Sequence, residues 1–275
     1  MPRPPGNALP LLGGALLLAA LALLISLTQG GVNMPPLEVV AHLFGSDGSV
    51  HNQIIDTVRL PRTLSAFAVG GVLALAGALM QVLLRNPLGD PYILGVSGGA
   101  ATAVLLGMLA TLPAMYLGPL AFVGAVVSML LVFALGHQGG DWDANRLLLT
   151  GVVMAAGWSA LISLLLSLSP SAQLPGMLFW LMGDLGNSID PWPVTAVLLL
   201  GTLLALWLAP RLNLAVYGMQ QAHVLGVNTG QLRWQVYFLA SLLTAAAVSQ
   251  AGSIGFVGLL VPHLVRLLGG TDHRV

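Results

Sequence analysis

The chain has 275 residues, of which 57% are hydrophobic and 7% are charged, and its mean hydropathy is +0.91. A soluble domain is about a quarter charged, so this composition excludes an ordinary soluble enzyme and predicts a membrane protein. There is no cysteine and every basic residue is an arginine, which excludes disulfides, thiolate metal sites and a lysine-containing phosphate-binding loop, so any ATP must be bound by another chain.

Eight apolar stretches occupy most of the chain. About 20 apolar residues cross the roughly 30 Å hydrocarbon core as a helix, and a helix satisfies its own backbone hydrogen bonds in lipid. The sequence therefore predicts an all-α fold, a polytopic bundle of transmembrane helices with about eight spans. The stretches are Ala8–Thr28, Leu64–Leu84, Tyr92–Leu112, Met115–Leu135, Leu147–Leu168, Trp192–Leu208, Trp234–Gly252 and Ile254–Leu268.

The arginines predict the orientation of the bundle. Eight crossings put both termini on one side, and cytoplasmic segments carry the excess of basic residues. If the N-terminus is inside, only Arg59 and Arg62 lie outside. The inner segments then hold Arg3, Arg85, Arg146, Arg211, Arg233, Arg266 and Arg274. We therefore expect both termini to be cytoplasmic.

Three connections are long enough to carry structure of their own. Gln29–Thr63 is predicted to be an outer loop. Ser169–Pro191 is also outside, and its apolar patch Met177–Met182 is too short to span, which favours an interfacial or re-entrant helix. Ala209–Arg233 is the longest inner connection, in which Gln220–Val227 can form a short helix that ends at Gly226.

Four motifs in order carry a family resemblance. Arg59–Arg62 reads RLPR, Asn86–Pro91 reads NPLGDP and Leu94–Ala100 reads LGVSGGA. Near the C-terminus stands Gly252–His263 (GSIGFVGLLVPH), which is followed by Arg266 and by the sequence DHR at 272–274. From about Arg59 onward, this chain resembles the FecCD-type permeases of binding-protein-dependent ABC importers, a family that carries iron–siderophore complexes, haem and cobalamin into bacteria.

The resemblance implies a permease subunit in the bacterial inner membrane that moves a metal chelate from periplasm to cytoplasm. It also implies three partners: a second permease copy, cytoplasmic ATPase subunits that bind the ATP, and a periplasmic substrate-binding protein. The permease itself is then not an enzyme, holds no cofactor or metal, meets membrane lipid and binds no nucleic acid. The family has ten spans, so residues 1–275 are expected to form one permease domain without the last two.

The resemblance also assigns roles to the two ends of the second span. Arginines matching Arg59 and Arg62 dock the binding protein, although the residues alone favour snorkelling side chains at a span end. At the inner end of the second span, residues matching Asn86 and Leu88 help to close the transport pathway on the cytoplasmic side. A second cytoplasmic constriction, just before the fifth span, matches Ala144 and Asn145, where relatives often have small hydroxyl residues.

Two further sets are candidates. Ser97, Gly98 and Gly99 lie early in the third span, where adjacent small residues indicate close packing and, secondarily, a pathway surface. The inner loop that contacts the ATPase in the family matches a set of five residues, although the acidic residue and arginine common in relatives are replaced by Met219 and His223. The five are Gln220, Gln221, Ala222, His223 and Gly226.

Two other function classes were weighed from the residues. An ion-coupled secondary transporter needs carboxylates near mid-membrane, whereas each Asp and Glu here falls in a loop or at a span end. The chain also lacks the H-E-x-x-H motif of an intramembrane enzyme. The six histidines show no paired spacing, so we predict no metal site and expect the loop histidines to be solvated.

Overall fold

The structure, a computed structural model, describes residues 8–45, 50–136, 144–186, 190–216 and 218–269. Within these ranges the chain forms helices and no strands, which confirms the all-α prediction. Eight helices coincide with the eight apolar stretches. They are α1 (Ala8–Thr28), α4 (Leu60–Leu84), α5 (Val96–Leu109), α6 (Leu117–Gly136), α7 (Ala144–Leu168), α9 (Trp192–Val216), α11 (Thr229–Ala251) and α12 (Val257–Gly269).

The helices differ in whether they are long and apolar enough to cross a bilayer. Four helical segments of the described chain are both long and apolar enough to cross a membrane: His51–Leu84, Ala114–Gly136, Asn145–Leu168 and Trp192–Val216. Three apolar helices are shorter, at Leu12–Thr28, Val96–Leu109 and Val257–Leu267. The fifth helix is preceded by a 3₁₀ turn at Pro91–Leu94, which ends where Gly95 adopts a left-handed φ of 68°.

The outer connection predicted as a loop over Gln29–Thr63 is largely helical, so that prediction is wrong. Pro36 starts α2 (Pro36–Phe44), because proline at the first helical position has no amide that needs a partner. A second run begins as α3 (Val50–Ile54) and passes through one π turn (Ile55–Arg59) into α4. The second span is therefore part of one continuous helix that rises well before its apolar part.

The short helices predicted in the other two connections are present. Helix α8 (Leu174–Met182) contains the apolar patch, and Pro175 in its first turn explains why it begins before the patch. Helix α10 (Met219–Val224) lies in the Ala209–Arg233 connection, and Gly226 follows it with a left-handed φ of 86°.

Contacts between helix ends show that α11 runs antiparallel to α6 and to α9. At one end, the Phe133 and Trp234 rings are 4.1 Å apart, which joins the end of α6 to the start of α11. At the other end, Gln250 Nε2 donates to Asp190 O at 3.1 Å, which joins the end of α11 to the start of α9. Helices α6 and α9 therefore run in one direction and α11 in the other, as alternating crossings require.

Helix α4 lies at the centre and packs against α9, α11 and α12. Its crossing with α12 is very close, because Gly77 and Gly258 face each other backbone to backbone. The Gln81 side chain next to this crossing is buried, and its Nε2 donates to Leu259 O at 3.1 Å. Small residues thus bring backbones close enough for a side chain on one helix to bond the main chain of the next.

Candidate functional site

Arg59, one of the two predicted outer arginines, lies inside the structure. Its side chain is 9% exposed, and Nη1 donates to Leu27 O at 2.6 Å and to Thr28 O at 3.2 Å. Nη2 donates to Val32 O. The guanidinium therefore binds carbonyls at the end of α1 and in the connection that follows, through both of its terminal nitrogens. The predicted docking role of Arg59 stays a prediction.

Arg62 lies one turn further along and is exposed. It borders a cavity of about 620 Å³ whose walls include Gln29, Val32 and Val58. Ser26 Oγ and Thr63 Oγ1 are 2.8 Å apart, which fixes the end of α1 to the start of α4 beside this cavity. Both arginines thus border the same cavity, but only Arg62 presents its guanidinium to solvent.

The loop that follows α4 is a turn held by hydrogen bonds. Arg85 ends the helix with a left-handed φ of 51°, and Asn86 N donates to Gln81 O at 3.2 Å. Asn86 Oδ1 accepts from Leu88 N at 2.9 Å, and Asn86 O accepts from Gly89 N at 2.9 Å. Asn86 therefore shapes the turn, and the exposed apolar side chain of Leu88 stands at its tip.

The second predicted gate pair, Ala144 and Asn145, opens α7. The Ala144 side chain lies outside the described residues, whereas Asn145 is exposed. In the first gate loop, Asp90 Oδ1 accepts from Tyr92 N at 2.7 Å, and burial raises the pKa of this carboxyl. The gate role of both pairs stays a prediction.

Ser97, Gly98 and Gly99 lie in the first turn of α5, and the two glycines pack tightly. A Cβ on Gly98 would lie 2.6 Å from Trp158 Cβ, and one on Gly99 would lie 2.5 Å from Ser128 Cβ. The geometry thus gives the glycines a packing role, and a pathway role stays a prediction.

A polar chain that sequence reasoning missed supports this packing. The buried Ser128 Oγ donates to Gly95 O at 2.8 Å and accepts from Trp158 Nε1 at 2.8 Å. It links α6 and α7 to the residue where the 3₁₀ turn meets α5. No local pattern predicts these hydrogen bonds, because their members come from α6, α7 and the turn before α5.

Helix α10 has one buried side and one exposed side. Ala222 is fully buried in the main hydrophobic core, so the predicted contact surface is corrected at this position. The other four candidates, Gln220, Gln221, His223 and Gly226, are exposed.

Two apolar residues of the same segment were missed. Val224 is 85% exposed and Leu225 is 65% exposed. The turn that carries them is fixed, because Gly226 N donates to His223 O and Val227 N donates to Ala222 O, both at 3.0 Å. An anchored helix that presents bare apolar side chains is typical of a docking site.

A break in the helices also escaped the sequence analysis. Between α11 and α12 the chain is not helical, and it crosses the end of α8, where Asp184 N donates to Ala251 O at 2.9 Å. Gly183 and Gly252 both have left-handed φ values, 81° and 69°. Phe256 precedes α12, and its side chain is exposed. Its φ of 67° is rare for a bulky residue.

Two loop histidines lie beside carboxylates, and the expectation that the loop histidines are solvated is wrong for His42, whereas His51 is half-exposed. His42 Nε2 lies 2.8 Å from Asp56 Oδ1, and the His42 side chain is 8% exposed. His51 Nδ1 lies 3.3 Å from Glu38 Oε2. Both pairs join α2 to the helix that leads into α4. Among the described residues, no group of three or more His, Asp or Glu side chains could hold a metal ion.

Comparison with known proteins gives consistent matches along the chain. A family model described as the FecCD transport family matches residues 17–275. The cobalamin import system permease protein BtuC of Halobacterium salinarum is 38% identical over 258 residues, which are 91% of this chain and 69% of that protein. The hemin transport system permease protein HmuU of Yersinia pestis is 38% identical over 271 residues, 92% of this chain and 79% of that protein.

A solved structure matches the fold as well. It is described as an inward-facing conformation of a metal-chelate type ABC transporter, and it superposes with a TM-score of 0.84 at 34% sequence identity. The match covers 96% of this chain and 83% of that chain. Nearly the whole of this chain therefore shares its arrangement of helices with that transporter.

Proposed function

This chain belongs to the FecCD transport family and is a permease subunit of an ABC importer, and from that premise we propose that it passes a metal chelate from periplasm to cytoplasm. The cargo class follows from relatives that import cobalamin and haem, and from the metal-chelate transporter of the same fold. An iron–siderophore complex, haem and cobalamin are the three candidates. We place ATP hydrolysis on a separate cytoplasmic subunit.

The observation that carries the coupling to that subunit is the anchored, exposed turn at α10. Ala222 and Met219 hold the helix to the core, while Val224 and Leu225 project into solvent. Apolar side chains seated in a partner's pocket supply much of the energy of a protein interface. We infer that Val224 and Leu225 enter a groove of the ATPase, with Gln220, Gln221 and His223 at the rim.

The test of this assignment compares two equivalent leucines on opposite ends of the bundle. Leu225→Asp places a charge in the inferred interface, whereas Leu37→Asp changes an 80% exposed leucine of α2 at the predicted outer end. Tagged importer is purified from native membranes, and the copurified ATPase is quantified. We expect Leu225→Asp to lose the ATPase and Leu37→Asp to keep it. Retention by both variants would remove α10 from the coupling mechanism.

We place α10 and both termini in the cytoplasm. Seven of the nine arginines then lie inside, as the positive-inside rule favours. The Arg211 guanidinium lies 4.9 Å from the centre of the Trp207 ring near the end of α9 that leads to α10. Trp and Arg at a span end are typical interface anchors.

At the opposite end we propose that a periplasmic binding protein docks by meeting Arg62 with an acidic side chain. Arginine holds a carboxylate with two parallel hydrogen bonds. A second permease copy and membrane lipid are the expected occupants of the exposed apolar helix faces. An ion-coupled secondary transporter is not favoured, because none of the described carboxylates lies within α1, α4–α7, α9, α11 or α12. The described carboxylates are Glu38, Asp56, Asp90, Asp184 and Asp190.

A further inference from the structure

The end of α1 is closed by a side chain from another part of the chain. The last four carbonyls of a helix have no partner within it, and Leu27 O and Thr28 O are two of them in α1. Both accept from Arg59, which also bonds Val32 O in the following connection. A cation is electrostatically favoured at a helix C-terminus, so this arrangement stabilises both the helix end and the connection.

We propose that Arg59 is a positioning residue that holds the connection Gln29–Val32 as a wall of the cavity beside Arg62. Arg62 alone then meets the binding protein, through one acidic side chain that enters this cavity. The docking part of the inference rests on the proposed function, whereas the positioning part rests on the contacts of Arg59 within this chain. The two parts are therefore tested separately.

The connection fits the guanidinium closely. A Cβ on Gly30 would lie 2.8 Å from Arg59 Nη2, whereas one on Gly31 would meet nothing within 4 Å. The φ of Gly30 is +157°, which side-chain-bearing residues rarely adopt. Gly30 thus lets the connection close onto Arg59, and Gly31 is an open position in the same segment where a label can be attached.

The number and geometry of the bonds explain why arginine is needed. Guanidinium presents five donors in a rigid planar fork, whereas lysine carries a compact charge on a flexible stem. Three carbonyls in two segments require the fork. A charge that docks a partner at an exposed rim does not need this fork, because lysine supplies the same charge there. Replacement by lysine is therefore expected to separate the two roles.

The first experiment measures the order of the connection. A nitroxide spin label is attached at Gly31→Cys in the otherwise cysteine-free full chain, reconstituted in nanodiscs. We expect Arg59→Lys and Arg59→Ala to increase the mobility of the label, and Arg62→Lys and Arg62→Ala to leave it unchanged. An unchanged spectrum in both Arg59 variants would overturn the positioning role.

A second measurement covers the case in which an Arg59 variant does not fold. Phenylglyoxal, an arginine reagent, is applied to the folded wild-type protein, and mass spectrometry resolves the two sites. We expect Arg62 to react while Arg59 is protected. Gly30→Ala, which intrudes on the guanidinium, should expose Arg59 to the reagent, whereas Gly31→Ala should not. Equal reactivity of Arg59 and Arg62 in the wild-type protein would contradict the inference.

The docking part is measured with the binding protein that stimulates ATP hydrolysis by the assembled importer. We expect Arg62→Ala to lower the association rate constant by roughly tenfold at low salt and to weaken its salt dependence. Arg62→Lys should keep most of the rate. If Arg62→Ala docks like the wild type, the docking assignment in the proposed function fails, while the label and reagent results still decide the role of Arg59.

Discussion

The crossing of α4 and α12 offers a sharp test of how glycine sets the spacing of this bundle. A Cβ on Gly77 would lie 2.7 Å from Gly258 Cα and closer still to its carbonyl oxygen. Both partners in this contact are backbone, so no side chain can rotate away. Gly77→Ala must therefore separate the two helices or distort one of them.

The size of the effect follows from this geometry. Carbon atoms in contact normally lie about 3.5–4.0 Å apart, so α12 must move by about 1 Å or more. The bond from Gln81 Nε2 to Leu259 O, now 3.1 Å long, would then be lost. Overpacking costs about 1–3 kcal/mol, and a buried donor without a partner costs about 1–3 kcal/mol more. Alanine regains about 1 kcal/mol of helix propensity.

These magnitudes leave a net destabilisation of about 3 kcal/mol in the middle of the range. For a chain of this size that lowers the unfolding temperature by about 6–12 °C. The assay is thermal unfolding of the purified protein, followed by tryptophan fluorescence. Gly70→Ala is the matched control, since a Cβ there meets nothing within 4 Å. Equal unfolding temperatures for the two variants would refute the account of the crossing.

Three further outcomes are expected. Trp158→Phe removes the donor to Ser128 and should cost about 0.5–1.5 kcal/mol in unfolding free energy, while Ser128→Ala, which breaks both bonds, should cost more. Because burial raises the pKa of Asp90, the folded protein gains stability as the pH falls through that pKa. Asp90→Asn should therefore raise the unfolding temperature near neutrality and lose this advantage in acid. A shift in unfolding temperature that does not depend on pH would contradict this account. In intact cells, an impermeant thiol reagent should label Gln29→Cys and spare Gln231→Cys, and the reverse pattern would invert the topology.

The spans could be predicted from the sequence because lipid imposes a simple rule on each of them. A long apolar run must be helical wherever it crosses, whatever its neighbours are. The connection Gln29–Thr63 obeys no such rule, because it lies between two spans rather than in one. Its α2 helix depends instead on Val39, which packs with Leu27 and Ile55 in a small separate core. That core is assembled from three segments, so no single segment reveals it.

The segment proposed to meet the ATPase cannot be divided into buried and exposed residues from the sequence alone. The resemblance assigns Gln220–Gly226 to this contact, but it does not distinguish the exposed apolar pair Val224 and Leu225 from their neighbours. Which side of a two-turn helix faces the core depends on α9 and α11, against which α10 packs. Ala222 and Val224 are both small and apolar, yet one is buried and the other is bare. Residue type alone could not separate them.

Arg59 and Arg62, both predicted to lie outside, show the same limit more sharply. Residues three apart on a helix lie on nearly the same face, so the sequence gives Arg59 and Arg62 equal standing. What separates them is the Gln29–Val32 connection, which closes over one guanidinium and stops short of the other. A local signal for this closure does exist, since two adjacent glycines follow directly after an apolar helix. Of the two, Gly30 is the one that an approaching group requires, since a Cβ there would meet Arg59. An arginine at the start of the next span is a group that a helix C-terminus attracts.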